Sequence, residues 1–412
     1  MPSPPPAPGP SAKRLAGFWM LYMAGLGLVF PYQTLYFHEN AALTGTQLGL
    51  VLAARPLMGM LFQPVWGVAA DRTGTRAGVL MLVCAGAAAG YALVPSAAGF
   101  PSLLGAFALA SAFGTSVIPM GTSVSMASLG ERPQERFGRV RAFGTLGFLI
   151  TVVAFPWILD RVQAVRGLES TPEGPSEPGL GLIFHLAAGF TLLAGAMAAW
   201  LPRAAGLSVR AQRGAVGRLL RHGPYRRALA FTFLAWFFQQ APISLLPLLV
   251  RHLGGDLNTL SRMWIPMLAL EIPLVLWSGY TLRRLGARGL LAAGVLADGV
   301  RWTACSLAGD LAIVFPLQLL HGFVVAGVIV GISLYVEETV PEELRSSGQS
   351  LIAMIGISCA GMLSVFTGGW LVDHLGTTAP FLLGGLGALG LGLAVPWILP
   401  APSRPGGASA TR

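Results

Sequence analysis

Five ionisable residues lie deep inside apolar segments of the sequence, where a charge needs a partner or a task. They are Arg55, Glu271, Asp298, Arg301 and His321. Counting from the segment ends at about 1.5 Å per residue places all of them in the middle third of a membrane. A charge at the bilayer centre costs about 2.5 to 3.5 kcal/mol on insertion scales, so such residues typically relay protons or line solute pathways. The chemistry indicated is proton or solute transfer.

Three of these residues carry an acid–base hypothesis. Asp298 and Arg301 are three residues apart on one helix face, which permits a salt bridge. That pair either takes part in coupling or neutralises itself and helps its segment insert. Glu271 has no such partner in its own segment, and burial favours the protonated carboxyl that a proton carrier needs. The alternative for Glu271 is a structural partnership with Arg301 or His321.

Two arginines are candidates for contact with a solute. Arg55 precedes Pro56, which frees a backbone carbonyl one turn earlier, so Arg55 either lines a cavity or ties off such carbonyls. Arg141 belongs to the stretch FGRVRAFGTLGF, residues 137–148, which runs directly into apolar sequence. Arg141 is therefore either a lipid-headgroup anchor or a charge that points into the membrane for a purpose.

The composition is that of a membrane protein. Of 412 residues, 54% are hydrophobic and 11% are charged, with a mean hydropathy of +0.67, whereas soluble domains carry about 25% charged residues. Continuous apolar runs cross about 30 Å of hydrocarbon as helices and lack the alternation of a membrane β-barrel. We predict an all-α integral membrane protein with twelve spans, at 15–37, 45–70, 77–95, 102–127, 141–159, 180–201, 228–250, 260–282, 287–307, 311–336, 346–371 and 379–399.

The formal charge of +10 follows from membrane orientation. Basic residues collect in alternate loops, and the opposite side receives only Arg161, Arg166, Arg251 and Arg262. Because cytoplasmic loops are enriched in Lys and Arg, we expect both termini and the 202–227 loop to be cytoplasmic. The charge therefore does not indicate a nucleic-acid partner.

The cysteines and the chain ends carry no chemistry of their own. Cys84, Cys305 and Cys359 all fall in apolar segments, so neither a disulfide framework nor a metal site is expected. The first apolar segment is too long for a signal-peptide core and is expected to remain as the first span. Residues 1–14 and 400–412 are expected to be disordered tails.

The two halves of the sequence resemble each other. Arg141 and Gly144 return as Arg345 and Gly348, and a second set, Gly67, Arg72, Gly74 and Arg76, returns as Gly279, Arg284, Gly286 and Arg288. Duplicated six-helix halves are typical of secondary transporters. We predict six-helix bundles at 15–201 and 228–399, joined by a cytoplasmic linker at 202–227.

The stretch GVAADRTGTR, residues 67–76, predicts a latch between helices. Gly67 would let helices approach closely, and Asp71 would accept hydrogen bonds from arginines or from a helix N-terminus. Arg72 and Arg76, around Gly74, would face headgroup phosphates. The alternative is a merely positive loop.

This stretch resembles the loop motif of the major facilitator superfamily, and the resemblance covers nearly the whole chain outside the tails. Within the superfamily the sequence is most similar to the proton symporters around lactose permease and phenylpropionate permease. FGRVRAFGTLGF, LLHGF at 319–323 and PEELRSSGQ at 341–349 carry that similarity. It implies the twelve-helix major facilitator fold and transport by alternating access.

The resemblance also implies site residues. Arg301 and His321 keep the twenty-residue interval of the coupling region in these symporters, with Asp298 beside them and Glu271 in the place of the carboxylate of the eighth span. The sequence departs from the pattern at two points: Glu271 is about three residues from the expected position, and Val324 stands where a carboxylate would follow His321.

The solute-binding pattern is altered. In these symporters the second arginine of the motif binds the sugar with a carboxylate eighteen positions earlier, and a tryptophan seven positions later stacks on the ring. Here Arg141 is retained, whereas Ser123 and Phe148 occupy the other two positions. An arginine without its carboxylate favours an anion, so a monocarboxylate such as an aromatic acid is predicted, with Arg141, Phe148, Ser123 and Arg55 as substrate-binding residues.

We therefore predict a proton symporter for a small organic solute, a multi-pass protein of the cell (inner) membrane and a monomer. Its predicted partners are the solute, protons and the bilayer. A proton-coupled multidrug exporter and a sugar or nucleoside symporter remain as alternatives. The sequence lacks a phosphate-binding G-x-x-x-x-G-K-[ST] loop and the H-E-x-x-H motif, so neither an enzyme nor a cofactor is expected.

Overall fold

A computed structural model describes residues 10–129, 133–169, 175, 177–201 and 214–400, and the side chains of these residues except 10–11, 133–135, 272 and 275–283. The described chain is helical almost throughout. The α-helices of its first part are α1 Pro10–Leu35, α2 Gly45–Thr73, α3 Arg76–Leu93, α4 Phe100–Gly114, α5 Val117–Ser128, α6 Pro133–Arg166 and α7 Leu182–Ala198. Those of its second part are α8 Ala215–Arg221, α9 Gly223–His252, α10 Leu257–Leu307, α11 Leu311–Leu317, α12 His321–Val324, α13 Gly331–Thr339, α14 Glu342–Leu351, α15 Ala360–Leu375 and α16 Ala379–Ile398.

Ten helical stretches of the described chain are long and apolar enough to cross a membrane. They match ten of the twelve predicted spans and extend past most of them by a few residues. The predicted span at 180–201 appears as α7, with 17 residues. The predicted span at 260–282 falls in the first part of α10, where some side chains lie outside the described residues. The all-helical membrane fold is confirmed, and a count of twelve spans stays a prediction.

Described helices overlap the predicted N-terminal tail and the predicted linker. The N-terminal tail was expected to reach residue 14, but α1 begins at Pro10, since proline is well tolerated in the first turn of a helix. The linker was expected to end at 227, but α8 occupies part of it and α9 begins at Gly223. Residues 1–9, 202–213 and 401–412, which carry the rest of the predicted tails and linker, lie outside the described residues.

The helix α2 has clear signals at both ends. At its start the Thr44 side chain accepts a hydrogen bond from the Gln47 backbone while the Gln47 side chain accepts one from the Thr44 backbone, a capping box. At its end Gly74 adopts the left-handed conformation, φ +64°, that terminates helices at glycine. The 29 residues between span about 44 Å at 1.5 Å per residue, so its ends lie near opposite membrane faces.

The chain forms two compact units. Of the described residues, the first unit comprises those within 1–208, 244–264 and 365–377, and the second comprises those within 209–243, 265–364 and 378–412. In the first unit α1 packs on α6 at Gly27 and Gly147, where an added Cβ would overlap the Phe148 and Met20 carbonyls. The Trp19 indole donates to Ser125 Oγ at 3.0 Å inside this core. The units do not follow the sequence halves, and the predicted six-helix bundles stay a prediction.

The second unit contains most of the irregular helix. A 3₁₀ turn, Gln318–Leu320, separates α11 from α12, and π-helical segments run over Val325–Val330 and Ile352–Cys359. The Tyr225 hydroxyl donates to the Gly348 carbonyl at 2.8 Å and ties α9 to α14. Within α10, Gly286 has φ +68° and ψ +169°, so two helices meet there without an intervening loop.

Candidate functional site

The second unit buries a polar cluster around Arg301, which has no exposed side-chain surface. Its Nε and one terminal nitrogen donate to Gln318 Oε1 at 3.2 and 2.5 Å, and the other terminal nitrogen contacts His321 Nδ1 at 3.1 Å. The guanidinium also lies 4.0 Å from the centre of the Trp302 ring. Neutral acceptors and an aromatic face thus make direct contact with this cation.

The contact with Arg301 fixes the protonation pattern of His321. A guanidinium can only donate, so Nδ1 must accept and carries no proton. A neutral imidazole then has its proton on Nε2, which lies 3.9 Å from Glu271 Oε2. An added Cβ at Gly322 would lie 2.8 Å from the Glu271 backbone nitrogen, so the two segments touch closely. The predicted residues Glu271, Arg301 and His321 therefore meet in one place.

Asp298 does not form the ion pair that its spacing allowed. Asp298 is 2% exposed, and its Oδ1 has no hydrogen-bond partner among the described residues. Arg301 instead turns to Gln318 and His321, because two acceptors on the 318–321 segment are better placed for its fork of donors. A self-neutralised Asp298–Arg301 pair is thus not what the structure contains.

In the first unit the two arginines of FGRVR differ in their surroundings. Arg139 is exposed, whereas Arg141 is partly buried and its guanidinium lies 4.8 Å from the centre of the Trp19 ring. Trp19 is itself fully buried in the core. Arg141 therefore turns toward the helix bundle, as the solute-contact hypothesis requires and the headgroup-anchor hypothesis does not.

Phe148 belongs to an aromatic group on the same side of α6. Its ring meets Trp264 edge to face at 5.3 Å between centroids, and Trp264 meets Phe30 at 5.6 Å. One turn after Phe148 on α6, the Val152 carbonyl accepts hydrogen bonds from the Tyr32 and Ser261 hydroxyls, at 2.6 and 3.0 Å. These bonds tie α1 and the start of α10 to α6. Trp264 was not identified from the sequence.

Arg55 is partly buried on α2, and its Nη1 is enclosed without a hydrogen-bond partner among the described residues. The tie to freed carbonyls that Pro56 allowed is therefore not made by this nitrogen. Arg55 and Arg141 both belong to the first unit.

Ser123, the fourth predicted substrate-binding residue, lies elsewhere. Its hydroxyl hydrogen-bonds Arg76, which also forms an ion pair with Asp71 at 3.0 Å. These three residues line one pocket together with Gln63 and Gly67. Ser123 therefore joins the loop-motif residues rather than Phe148.

Two details of the predicted latch were wrong. Gly67 was expected at a close helix contact, but a Cβ there would meet nothing within 4 Å. Arg76 was expected to face headgroups, but it turns inward because Asp71 and Ser123 offer it two acceptors. Arg72 is exposed as expected, and Gly74 ends α2.

The close helix contact of α2 lies at its other end. We name Gly45, Gly49, Gly369 and Asp373 the α2–α15 crossing. An added Cβ at Gly45 would lie 2.5 Å from the Gly369 carbonyl oxygen, and one at Gly49 would lie 2.6 Å from the Val365 carbonyl oxygen. The Asp373 carboxylate accepts from the Gly45 and Thr46 backbone N–H groups at 2.6 and 2.7 Å, and from the Thr46 hydroxyl at 2.6 Å. Small residues and a helix-capping carboxylate thus hold these helix ends together.

An ion-pair cluster lies at the same end of the first unit. Arg251 donates to Glu39 at 3.1 Å and to Glu177 at 2.7 Å. Burial raises the pKa of Glu177 above its usual range, and the hydrogen bond from Arg251 opposes that rise. One arginine at the end of α9 therefore ties the loop at Glu177 to the π-helical segment Tyr36–Asn40 that follows α1.

Comparisons with known proteins agree with this architecture. The chain matches the MFS_1 like family over residues 12–383. It is 26% identical over 366 residues to the maltose permease of Geobacillus stearothermophilus, covering 89% of each chain. It is also 26% identical over 370 residues to multidrug resistance protein MdtH of Cronobacter sakazakii, covering 86% of this chain and 84% of that one.

Among solved structures, the nucleoside transporter NupG superposes with a TM-score of 0.80 at 14% identity, covering 94% of this chain and 99% of that one. At this identity the likeness concerns the fold alone. The predicted resemblance to the superfamily is confirmed by the match over nearly the whole chain. The protein belongs to the MFS_1 like family of major facilitator transporters and is a multi-pass membrane transporter rather than an enzyme.

Proposed function

We propose that this transporter is a proton-coupled symporter for a small polar solute in the cell membrane. The observation that carries the proposal is the buried chain from Glu271 to His321 to Arg301. A carboxylate beside a neutral imidazole, with a buried guanidinium beyond it, offers a place where one proton can be held and released inside a membrane protein. The motif residues Asp71 and Arg76 lie in the other unit and serve the conformational cycle in this proposal.

For the solute we propose a ring-bearing polar molecule. The similarity to a maltose permease supports a saccharide, and Phe148, Trp264 and Phe30 form an aromatic group of the kind that stacks on sugar rings or bases. A second candidate is an aromatic monocarboxylate. The sequence keeps the motif arginine, Arg141, but has Ser123 at the position of the carboxylate that accompanies this arginine in the similar symporters, and an arginine without that carboxylate favours an anion.

An uptake experiment separates these candidates. The purified protein in vesicles is given an imposed pH gradient, acid outside, together with radiolabelled maltose, uridine or phenylpropionate. Accumulation of one of them that collapses with a protonophore supports symport and identifies the class. The similarity to MdtH suggests the alternative of an exporter, which would extrude a hydrophobic dye under the same gradient. Dye extrusion without solute accumulation would contradict the proposal.

The two arginines of FGRVR should be unequal in solute binding. Arg141→Lys should weaken binding about tenfold or more, because an ammonium can neither grip a carboxylate or hydroxyl pair bidentately nor keep the planar contact with Trp19. Arg139→Lys, at an exposed site, is the matched control and should bind normally. Direct binding of the radiolabelled solute measures both. Equal, mild losses would return Arg141 to a role at the headgroups.

We also propose the orientation that the arginine distribution favours, with both termini and the linker cytoplasmic. Arg221→Cys on α8 should then resist a membrane-impermeant maleimide added to intact cells. His252→Cys, also at an exposed position and at the far end of α9, should react readily. The reverse labelling pattern would invert the topology. We further propose a monomer, which light scattering of the purified protein tests.

A further inference from the structure

Gln318 is a fully buried side chain with every polar group engaged. Its Oε1 accepts two hydrogen bonds from Arg301, and its Nε2 donates to the Val314 carbonyl at 2.9 Å and contacts Cys305 Sγ at 3.7 Å. No signal in the sequence pointed to this residue, since a lone glutamine in an apolar segment is uncharged. Its contacts nevertheless make it the main hydrogen-bond partner of the buried cation.

The local backbone explains why the amide has this orientation. Gln318 begins a 3₁₀ turn. Its backbone N–H bonds to the carbonyl of Phe315, three residues back, instead of to the carbonyl of Val314, as it would in an α-helix. The Val314 carbonyl thereby loses its helical partner, and the Gln318 side-chain amide replaces that partner. Because Nε2 is held by a carbonyl, Oε1 must face Arg301. The irregular helix therefore supplies a rigid, uncharged acceptor.

An uncharged acceptor has a different effect on Arg301 from a carboxylate. It satisfies two donors of the guanidinium and carries no charge of its own, so a cation lies 3.1 Å from His321 Nδ1. Among the described side chains, the ionisable groups near His321 are Arg301, which contacts it, and Glu271 at 3.9 Å. Asp298 lies one turn from Arg301, and Cys305 lies beyond Gln318. In this arrangement a second proton on His321 would meet a cation directly.

We propose that Gln318 is a positioning residue that holds Arg301 against His321 as a cation without a direct ion pair, so that His321 stays neutral and the transported proton is carried by Glu271. The inference rests on the proposed proton symport and adds the assignment of the proton to one of two adjacent groups. Gln318 itself touches neither proton nor solute in this scheme.

The test compares two variants of similar size. Gln318→Glu places a negative charge on the atoms that Arg301 contacts, whereas Gln318→Met removes the hydrogen bonds and adds no charge. Gln318→Glu should let His321 bind a proton and should shift the pH profile of solute accumulation upward by about one unit or more. Gln318→Met should lower the rate at every pH without moving the profile. Equal losses with unmoved profiles would reduce Gln318 to a packing role and overturn the proposal.

A measurement on the unmodified protein keeps the test independent of variant folding. In ¹⁵N-histidine-labelled protein, with the His321 signal assigned by comparison with His321→Gln, Nδ1 should resonate as an unprotonated nitrogen throughout the active pH range. A protonated Nδ1 in that range would overturn the inference. Glu271→Gln distinguishes failure of the proposed symport from failure of the positioning role. If this variant still accumulates solute, proton symport through Glu271 is contradicted. If it does not, and the pH profiles of the Gln318 variants stay unmoved, only the positioning role of Gln318 is contradicted.

Discussion

Glu271→Gln is expected to abolish proton-driven accumulation while leaving solute exchange across the membrane close to normal. A glutamine resembles the protonated carboxyl in shape and hydrogen bonding but has no proton to release. His321 Nε2 lies 3.9 Å from the Glu271 carboxylate, so the variant keeps its neighbour and loses only the titration. With one proton per solute, a gradient of one pH unit supports about tenfold accumulation, and the variant should fall to about one.

The measurement uses vesicles with an imposed pH gradient for accumulation, and vesicles preloaded with unlabelled solute for exchange. Asp310→Asn is a suitable control, because Asp310 caps α11 in an exposed turn and removing its charge leaves the buried cluster intact. Retained exchange establishes that the Glu271 variant folds and binds solute. Accumulation against a gradient by Glu271→Gln would show that the carrier is another group.

Gly49→Ala is expected to increase the population in which α2 and α15 are separated at the α2–α15 crossing. The new methyl group would lie 2.6 Å from the Val365 carbonyl oxygen, a backbone atom that cannot rotate away. Overpacking of this kind typically costs about 1 to 3 kcal/mol. Since 1.4 kcal/mol corresponds to tenfold in an equilibrium, the population in which the two helices are apart should rise about tenfold.

A cysteine at Val365, which is 2% exposed, reports this opening through its rate of modification by a water-soluble thiol reagent. The background protein should carry Cys359→Ala, because Cys359 is the partly exposed native cysteine. Gly189→Ala is the matched control, since a Cβ at that glycine of α7 meets nothing within 4 Å. Unchanged Val365→Cys modification in the Gly49 variant would mean that the crossing does not restrain the helices.

The spans were the most predictable part of the fold. Long apolar runs leave the backbone no choice but helix in a membrane, and ten of the twelve predicted spans reappear. The helix ends were less predictable, because helices continue past the hydrocarbon, as at Pro10 and Gly223. The irregular turn at Gln318 follows from tertiary hydrogen bonding and has no periodic signal in the sequence.

The candidate site was predictable where it rested on charge. Arg301, His321 and Glu271 stand out in apolar sequence, and the structure brings them together. Ser123 was assigned from its interval to Arg141, which cannot reveal that an arginine from another helix reaches it first. Asp373 went unnoticed because a carboxylate at the end of an apolar run is expected at the membrane surface. Its three hydrogen bonds to α2 depend on two segments more than 300 residues apart.

The break at Gly286 has a consequence for biogenesis. The candidate span that begins beside it, Arg284–Leu307, is the least hydrophobic of the ten found in the described chain and carries the buried Asp298 and Arg301. Such a segment is poorly retained by lipid when it leaves the translocon alone. A single left-handed residue joins it to the helix before it, so the first part of α10 cannot be released into the bilayer while the second stays behind. The two parts should therefore enter the membrane together rather than one after the other.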